Sequence, residues 1–214
     1  DLHISSTGAT PIEGNGAAIS SVVNDYDGQT RSGLTPNDIG ADAGNFTATD
    51  IFPPTISYTP IANSPLASTK AVSGVDITDY SGVNTTSGTR PRLYYKKIAE
   101  ANTYAGNTST DNGWKWVEAN GTTTPFSFTI NYSLLNSSLA TGDTIVYFVI
   151  AQDVATTPNV GFNTGVFTAD PTSVNLTATN FPMNVVRFYR ILPSVSGTIN
   201  VGPTETINSI TNTG

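Results

Sequence analysis

Short runs of hydrophobic residues, several of them alternating with polar residues, recur between residues 55 and 191 and predict β-strands. They follow one another at intervals of roughly 10 to 20 residues, the spacing typical of a β-sandwich or barrel. Seven strands are expected: Thr55–Tyr58, Ala71–Thr78, Arg92–Lys97, Trp114–Glu118, Pro125–Tyr132, Asp143–Asp153 and Met183–Ile191.

Two of these runs predict where the core lies. The run from Phe126 to Tyr132 places aromatic and aliphatic residues at every second position, which predicts a strand with one buried face. The run Asp143–Asp153 is apolar at successive positions, so both of its faces are expected to be buried. We therefore expect it to lie centrally in its sheet.

The two ends of the chain have a different pattern. Residues 1–52 hold short apolar patches broken by glycine, with no sustained period, and Pro53-Pro54 then forms a stiff extended joint. We expect residues 1–52 to be the end of a preceding segment, residues 53–192 a sandwich, and residues 193–214 a linker and the start of a following module. The chain is expected to be a piece of a longer protein.

Composition narrows the class of protein. About one third of the residues are Ser, Thr or Asn, and the chain has 19 Gly and 13 Pro, which favours an all-β fold. A net charge of −7 makes nucleic acid an unfavourable partner. There is no Cys, and no apolar run approaches the length of a membrane helix.

The strand around Tyr147 carries a family resemblance. The segment Gly142–Val149 fits the pattern that places a tyrosine corner in immunoglobulin-like domains, with Val149 where antibody domains have Cys. Along most of their length, residues 56–191 resemble an immunoglobulin-like module of large secreted surface proteins of Bacteroidota. The resemblance is carried by the segments 56–60, 77–83, 90–97 and 147–153. It implies a seven-strand sandwich in which the Tyr147 hydroxyl bonds to nearby backbone.

The flanking segments carry a second resemblance. Residues 19–42, through Asp25–Arg31 and Pro36–Asp42, resemble the closing rungs of right-handed parallel β-helices that precede such modules. Ser196–Val201 resembles the entry into a further β-helix. Together they imply an extracellular adhesin or filament protein exported by the type IX system.

Three acidic residues of the first segment form a candidate calcium site. Asp25, Asp27 and Asp38 lie in turns, and Ca²⁺ prefers carboxylate and carbonyl oxygens. The alternative is ordinary turn chemistry, in which Asp accepts local backbone hydrogen bonds beside glycine. No cofactor is otherwise expected.

Trp114 and Trp116 lie at alternate positions of one predicted strand and therefore share a face. With Tyr94 or Tyr95 they are candidates for a flat platform on which sugars stack. The alternative is that this face belongs to the core.

Five basic residues near the middle of the chain have two interpretations. Arg90, Arg92, Lys96, Lys97 and Lys115 could dock an acidic neighbouring module, or they could protect an exposed strand edge from pairing with foreign strands.

Catalysis is not expected, because His3 is the only imidazole and the acids lie in turn-like contexts. The sequence predicts a structural spacer or adhesion module of a large secreted cell-surface protein, whose partners are neighbouring modules, a surface polysaccharide or further copies of itself. The alternative is an accessory or carbohydrate-binding domain of a secreted polysaccharide-degrading β-helix enzyme.

Overall fold

A computed structural model describes residues 3–34, 37–184 and 187–193. In these residues the chain forms strands and three short 3₁₀ turns, Arg31–Gly33, Tyr132–Leu134 and Ala178–Asn180, and no α-helix. The strands are β1 (Ala9–Thr10), β2 (Thr47–Ala48), β3 (Thr55–Ser57), β4 (Ser64–Pro65), β5 (Thr69–Thr78), β6 (Arg92–Lys97), β7 (Lys115–Glu118), β8 (Phe126–Asn131), β9 (Thr144–Gln152), β10 (Val160–Phe162) and β11 (Phe188–Leu192).

The larger sheet is built around β9. Its strand order is β4-β11-β9-β6-β7, and β10 also pairs with β9. Along one edge β9 is antiparallel to β6, and along the other edge it is antiparallel to β11 at its start and to β10 at its end. Residues 145–152 of β9 are all buried, as expected for a strand that is apolar on both faces.

The smaller sheet has the order β3-β5-β8, with all its pairs antiparallel. Phe126, Phe128 and Ile130 of β8 point into a core that they share with Ile145, Tyr147 and Val149 of β9. The two sheets therefore face each other across one apolar layer. The alternation read from the sequence is confirmed.

A second apolar layer covers the other face of the larger sheet. It packs Tyr94, Trp114 and Phe148 of the sheet region against residues of the long connection between β10 and β11, namely Phe167, Val174, Leu176, Phe181 and Met183. The Tyr94 hydroxyl donates to the Val174 carbonyl at 2.9 Å and ties this connection to the sheet. Because the larger sheet is covered on both sides, its middle strands are apolar on both faces.

The N-terminal segment forms a small parallel pair of its own. Ala9 and Thr10 of β1 lie beside Thr47 and Ala48 of β2. The Asp38 carboxylate accepts hydrogen bonds from the backbone N–H of Gly14 and Gly44, at 3.0 and 2.9 Å, and so fixes the loops between the strands.

The prediction of an all-β chain is confirmed in the described residues. Six of the seven expected strands lie within about two residues of their predicted bounds, whereas the last begins at Phe188 rather than Met183. Residues 194–214, expected to begin another module, lie outside the described residues. In the part of the chain that the structure covers, no helix is long and apolar enough to cross a membrane.

Candidate functional site

Tyr147 lies in the middle of β9, and its side chain is buried in the layer between the two sheets. Its hydroxyl accepts a hydrogen bond of 2.9 Å from the backbone N–H of Ile61, in the connection between β3 and β4. Burial raises the pKa of Tyr147, so the phenol stays neutral. The hydroxyl therefore ties two parts of the chain that are 86 positions apart, rather than a corner a few residues away.

The Pro53-Pro54 joint is packed against β10. Pro53 is exposed and Pro54 is buried. A Cβ placed on Gly161 would lie 2.1 Å from the Pro54 carbonyl oxygen, so only glycine allows this approach. The Asn159 side-chain amide donates to the Asp50 carbonyl at 3.1 Å. The segment that enters the two facing sheets is therefore held by direct contacts at Asp50, before the double proline, and at Pro54 within it.

The candidate calcium residues are only partly brought together. Asp25 and Asp27 lie with Asp42 in a group whose carboxylate oxygens are within 4.8 Å of one another. Asp38 instead bonds the backbone of Gly14 and Gly44. Asp42 accepts a hydrogen bond from Ile4, which lies 38 positions earlier in the chain. Its place in the group depends on the tertiary fold and cannot be read from the spacing of neighbouring residues.

The carboxylate oxygens of Asp25, Asp27 and Asp42 differ in their hydrogen-bond partners. Asp42 accepts from the Ile4 N–H at 2.7 Å, and Asp27 contacts His3 Nε2 at 2.9 Å. Asp25 Oδ1 accepts from the Gln29 N–H at 2.7 Å, whereas Asp25 Oδ2 is buried and has no hydrogen-bond partner. An unpaired buried carboxylate oxygen fits a cation ligand, because burying a charge without a partner costs free energy.

A second group of acids, which the sequence did not suggest, lies at the end of β9. Asp50 of the joint, Asp79 after β5 and Asp153 after β9 also have carboxylate oxygens within 4.8 Å of one another. Burial, together with the nearby Asp50 carboxylate, raises the pKa of Asp79. Although burial opposes it, hydrogen bonds from Ser81 and Phe52 lower the pKa of Asp50. The buried Asp153 carboxylate is bonded by Asn159 and Ala155.

Trp114 and Trp116 do not form an open platform. Trp114 is 1% exposed, lies within the second apolar layer and donates from its indole nitrogen to Asn102 at 2.9 Å. Trp116 is partly buried against the same layer, and the Arg92 guanidinium covers its ring at 3.5 Å from the centroid. The burial of Trp114 and the Arg92 guanidinium over Trp116 favour the core interpretation of this face.

Most of the basic residues in the middle of the chain are buried and have internal partners. The Lys97 ammonium lies 3.0 Å from Asp143, and Arg92 lies 3.4 Å from Glu118. The Lys96 ammonium donates to the Lys97 and Glu100 carbonyls at 3.1 and 2.9 Å, and Lys115 donates to the carbonyls of Gly106 and Asp111. Burial lowers the pKa of Lys96 and of Lys115. Their charged groups bond carbonyls and carboxylates within the molecule. We therefore assign them neither to docking of a neighbouring module nor to protection of a strand edge.

The free edge of β7 is covered by a side chain instead. The Asn107 amide accepts from the Trp116 N–H at 2.8 Å and donates to the Trp116 carbonyl at 3.1 Å, in the way that a neighbouring strand would.

Comparisons with known proteins give no family for the chain: no family model matches it, and no curated protein or solved structure is significantly similar.

Proposed function

We propose that the chain is a structural spacer or adhesion module that transmits tension within a large secreted cell-surface protein. The observation that carries the proposal is the parallel pairing of β4 with β11, in which Ile191 lies beside Ser64 and Leu192 beside Pro65. β4 belongs to the entry side of the sandwich and β11 is its last strand.

Parallel pairing of these two strands determines how tension acts on them. A pull on the two chain ends draws β4 toward its start and β11 toward its end, so the two strands slide against each other. In such a sliding geometry the hydrogen bonds between the strands are loaded together, not one after another. Two side chains extend the contact: Asn63 accepts from the Arg190 N–H at 2.8 Å, and Tyr147 holds Ile61.

The immunoglobulin-like assignment of residues 53–192 is part of the same proposal. Its support is two facing sheets, a buried Tyr147 with a bonded hydroxyl, and a core free of cysteine. For residues 1–52, the parallel β1–β2 pair supports the proposal of terminal β-helix rungs. An extracellular location and a type IX export route follow from the resemblance, the absence of catalysis follows from the single His and the turn-like contexts of the acids, and all three remain predictions.

The proposed spacer role is tested by pulling single molecules of the full chain by its ends. Asn63→Ala removes one side-chain hydrogen bond to β11, worth about 0.5 to 1.5 kcal/mol, and should raise the forced unfolding rate about 2- to 12-fold. Asn136→Ala, at an exposed amide bonded to Ser109 in a loop, is the matched control and should leave the rate unchanged. Equal rates for the two variants would contradict the proposal.

A calcium ion held by Asp25, Asp27 and Asp42 is a second proposal, supported by the unpaired Asp25 Oδ2. Calcium should raise the unfolding temperature of the chain, because a ligand that binds only the folded state stabilises it by mass action. Asp25→Ala should remove the effect, and Asp170→Ala, at an exposed acid elsewhere, should keep it. A flat calorimetric titration with calcium would exclude the site.

The accessory carbohydrate-binding alternative receives no support from Trp114 and Trp116, since one indole is buried and the other is covered by Arg92.

A further inference from the structure

The outer face of β11 is not covered by the second apolar layer. Tyr189 and Ile191 point into the core between the sheets, whereas Phe188, Arg190 and Leu192 point outward. Phe188 is 56% exposed and Leu192 is 43% exposed. We call these three outward residues the β11 stripe: a cation between two apolar side chains.

Among the described residues, the Arg190 guanidinium of the stripe has no counter-ion. The carboxylates of the described residues form ion pairs with His3, Arg92 and Lys97 but not with Arg190. The backbone N–H of Arg190 is bonded to Asn63, so the strand itself is held in place while its outward side chains remain available.

A complementary surface lies around Asp50, Asp79 and Asp153. Apolar and aromatic side chains next to these acids in the three segments are strongly exposed: Tyr80 at 76%, and Ile51, Phe52 and Val154 at about half. The segments are tied together, because Ser81 N–H donates to Asp50 at 3.2 Å and Val154 N–H donates to the Gly82 carbonyl at 3.1 Å. We call this surface the acidic end: the half-buried carboxylates of Asp50 and Asp79, the buried Asp153 carboxylate, and the exposed side chains that follow them in sequence.

The two surfaces lie at opposite ends of β9. Arg190 pairs with Thr144, the first residue of β9, and Asp153 directly follows its last residue. Nine residues of extended chain separate these positions by about 30 Å, so the stripe cannot fold back onto the acidic end of the same molecule. Contact between them requires a second molecule.

We propose that the β11 stripe of one copy docks on the acidic end of a second copy, so that molecules of this chain associate head to tail. Charge complementarity carries the choice of partner: the stripe presents the Arg190 cation between apolar residues, and the acidic end presents the half-buried carboxylates of Asp50 and Asp79 beside apolar residues, whereas the Asp153 carboxylate is buried. Since the two surfaces differ, the contact is heterologous and leaves one of each free at the ends of every open assembly. The inference rests on the proposed spacer role and deepens it, because it names a second copy of the same chain as the partner of the module.

The contact should be weak and salt-dependent. Each surface is small, which places it in the class of transient interfaces below about 1,200 Å². The net charge of −7 repels copies at long range, but this repulsion is screened beyond about 8 Å at physiological salt. Association is expected to be strongest near that ionic strength and weaker at about 1 M, where the local charge pairs are screened too.

Sedimentation velocity of the full chain tests the inference, in buffer with EDTA and at concentrations up to about 1 mM, where weak association becomes visible. The wild type should form a concentration-dependent series of oligomers. Arg190→Glu and Tyr80→Lys should each remain monomeric, because each variant loses one of the two surfaces. Asp170→Lys, a charge change at an exposed residue away from both surfaces, should associate as the wild type does.

Mixing the two deficient variants is the decisive arm. Arg190→Glu keeps its acidic end and Tyr80→Lys keeps its stripe, so an equimolar mixture should form dimers and nothing larger. A monomeric wild type, association that requires calcium, or a mixture that stays monomeric would overturn the inference. None of these results bears on the forced unfolding of single molecules, so the failure of this inference is distinguishable from failure of the proposed spacer role.

Discussion

At the scale of single residues, the polar groups of this protein are used mainly to hold its segments together. Lys96 and Lys115 each place an ammonium among backbone carbonyls of neighbouring loops, and Asn107 substitutes for a missing strand at the edge of β7. Buried groups of this kind are stable only when they are bonded, because desolvation without a partner is costly. Each such residue therefore fixes one loop geometry.

Tyr147→Phe tests the most central of these bonds. The change removes only the hydroxyl that accepts from the Ile61 N–H, so it should lower the free energy of unfolding by about 0.5 to 1.5 kcal/mol. Urea unfolding followed by circular dichroism measures the difference. Tyr80→Phe, at the exposed phenol, is the matched control and should change stability by less than about 0.5 kcal/mol. Equal stability of the two variants would mean that the Tyr147 hydroxyl ties nothing.

Sequence patterns predicted the burial of single residues where the hydrophobic pattern is regular. Phe126, Phe128 and Ile130 alternate with polar residues, and all three are buried. By contrast, Asp42 joins Asp25 and Asp27 across a fold that local spacing does not encode, while Asp38 bonds loop backbone. Which acids meet depends on tertiary contacts, and these leave no short-range signal in the chain.

At the scale of elements, the short strand β10 is one of those that the sequence did not predict. Val160, Gly161 and Phe162 lack a recognisable strand pattern, yet they pair with the end of β9. Their position is fixed by the close approach of Gly161 to Pro54. The second apolar layer was missed for a similar reason, since Phe167, Phe181 and Met183 are scattered in a long connection without any period.

Gly161→Ala should loosen the contact between β10 and the joint. A Cβ at 2.1 Å from the Pro54 carbonyl oxygen forces the backbone to move, and we expect a loss of about 1 to 3 kcal/mol in the free energy of unfolding. Gly121→Ala adds the same methyl group where no atom lies within 4 Å, so its effect should be small or absent. Thermal unfolding of the two variants side by side measures the difference, and an unchanged Gly161→Ala protein would show that the joint is not tightly packed.

At the scale of the whole molecule, the contacts form a continuous path from the double-proline joint to β11. The joint is held by Asn159 and Gly161, the connection before β4 is held by Tyr147, and β4 lies parallel to β11. The all-β class and the central place of β9 followed from the sequence because they depend on local hydrophobic pattern. The β4–β11 pair could not be predicted from the sequence, because Ser64 and Pro65, which form β4, carry no strand signal.

The direction of pulling tests this account most directly. Tension between the two chain ends makes β4 and β11 slide, whereas tension between Ala67→Cys and the C-terminus pulls both strands from the same end and peels them apart. The chain has no cysteine of its own, so the attachment at position 67 is unique. If the parallel β4–β11 pair bears the tension, we expect a clearly higher unfolding force for the sliding geometry than for the peeling geometry at equal loading rate. Equal forces in the two directions would contradict it.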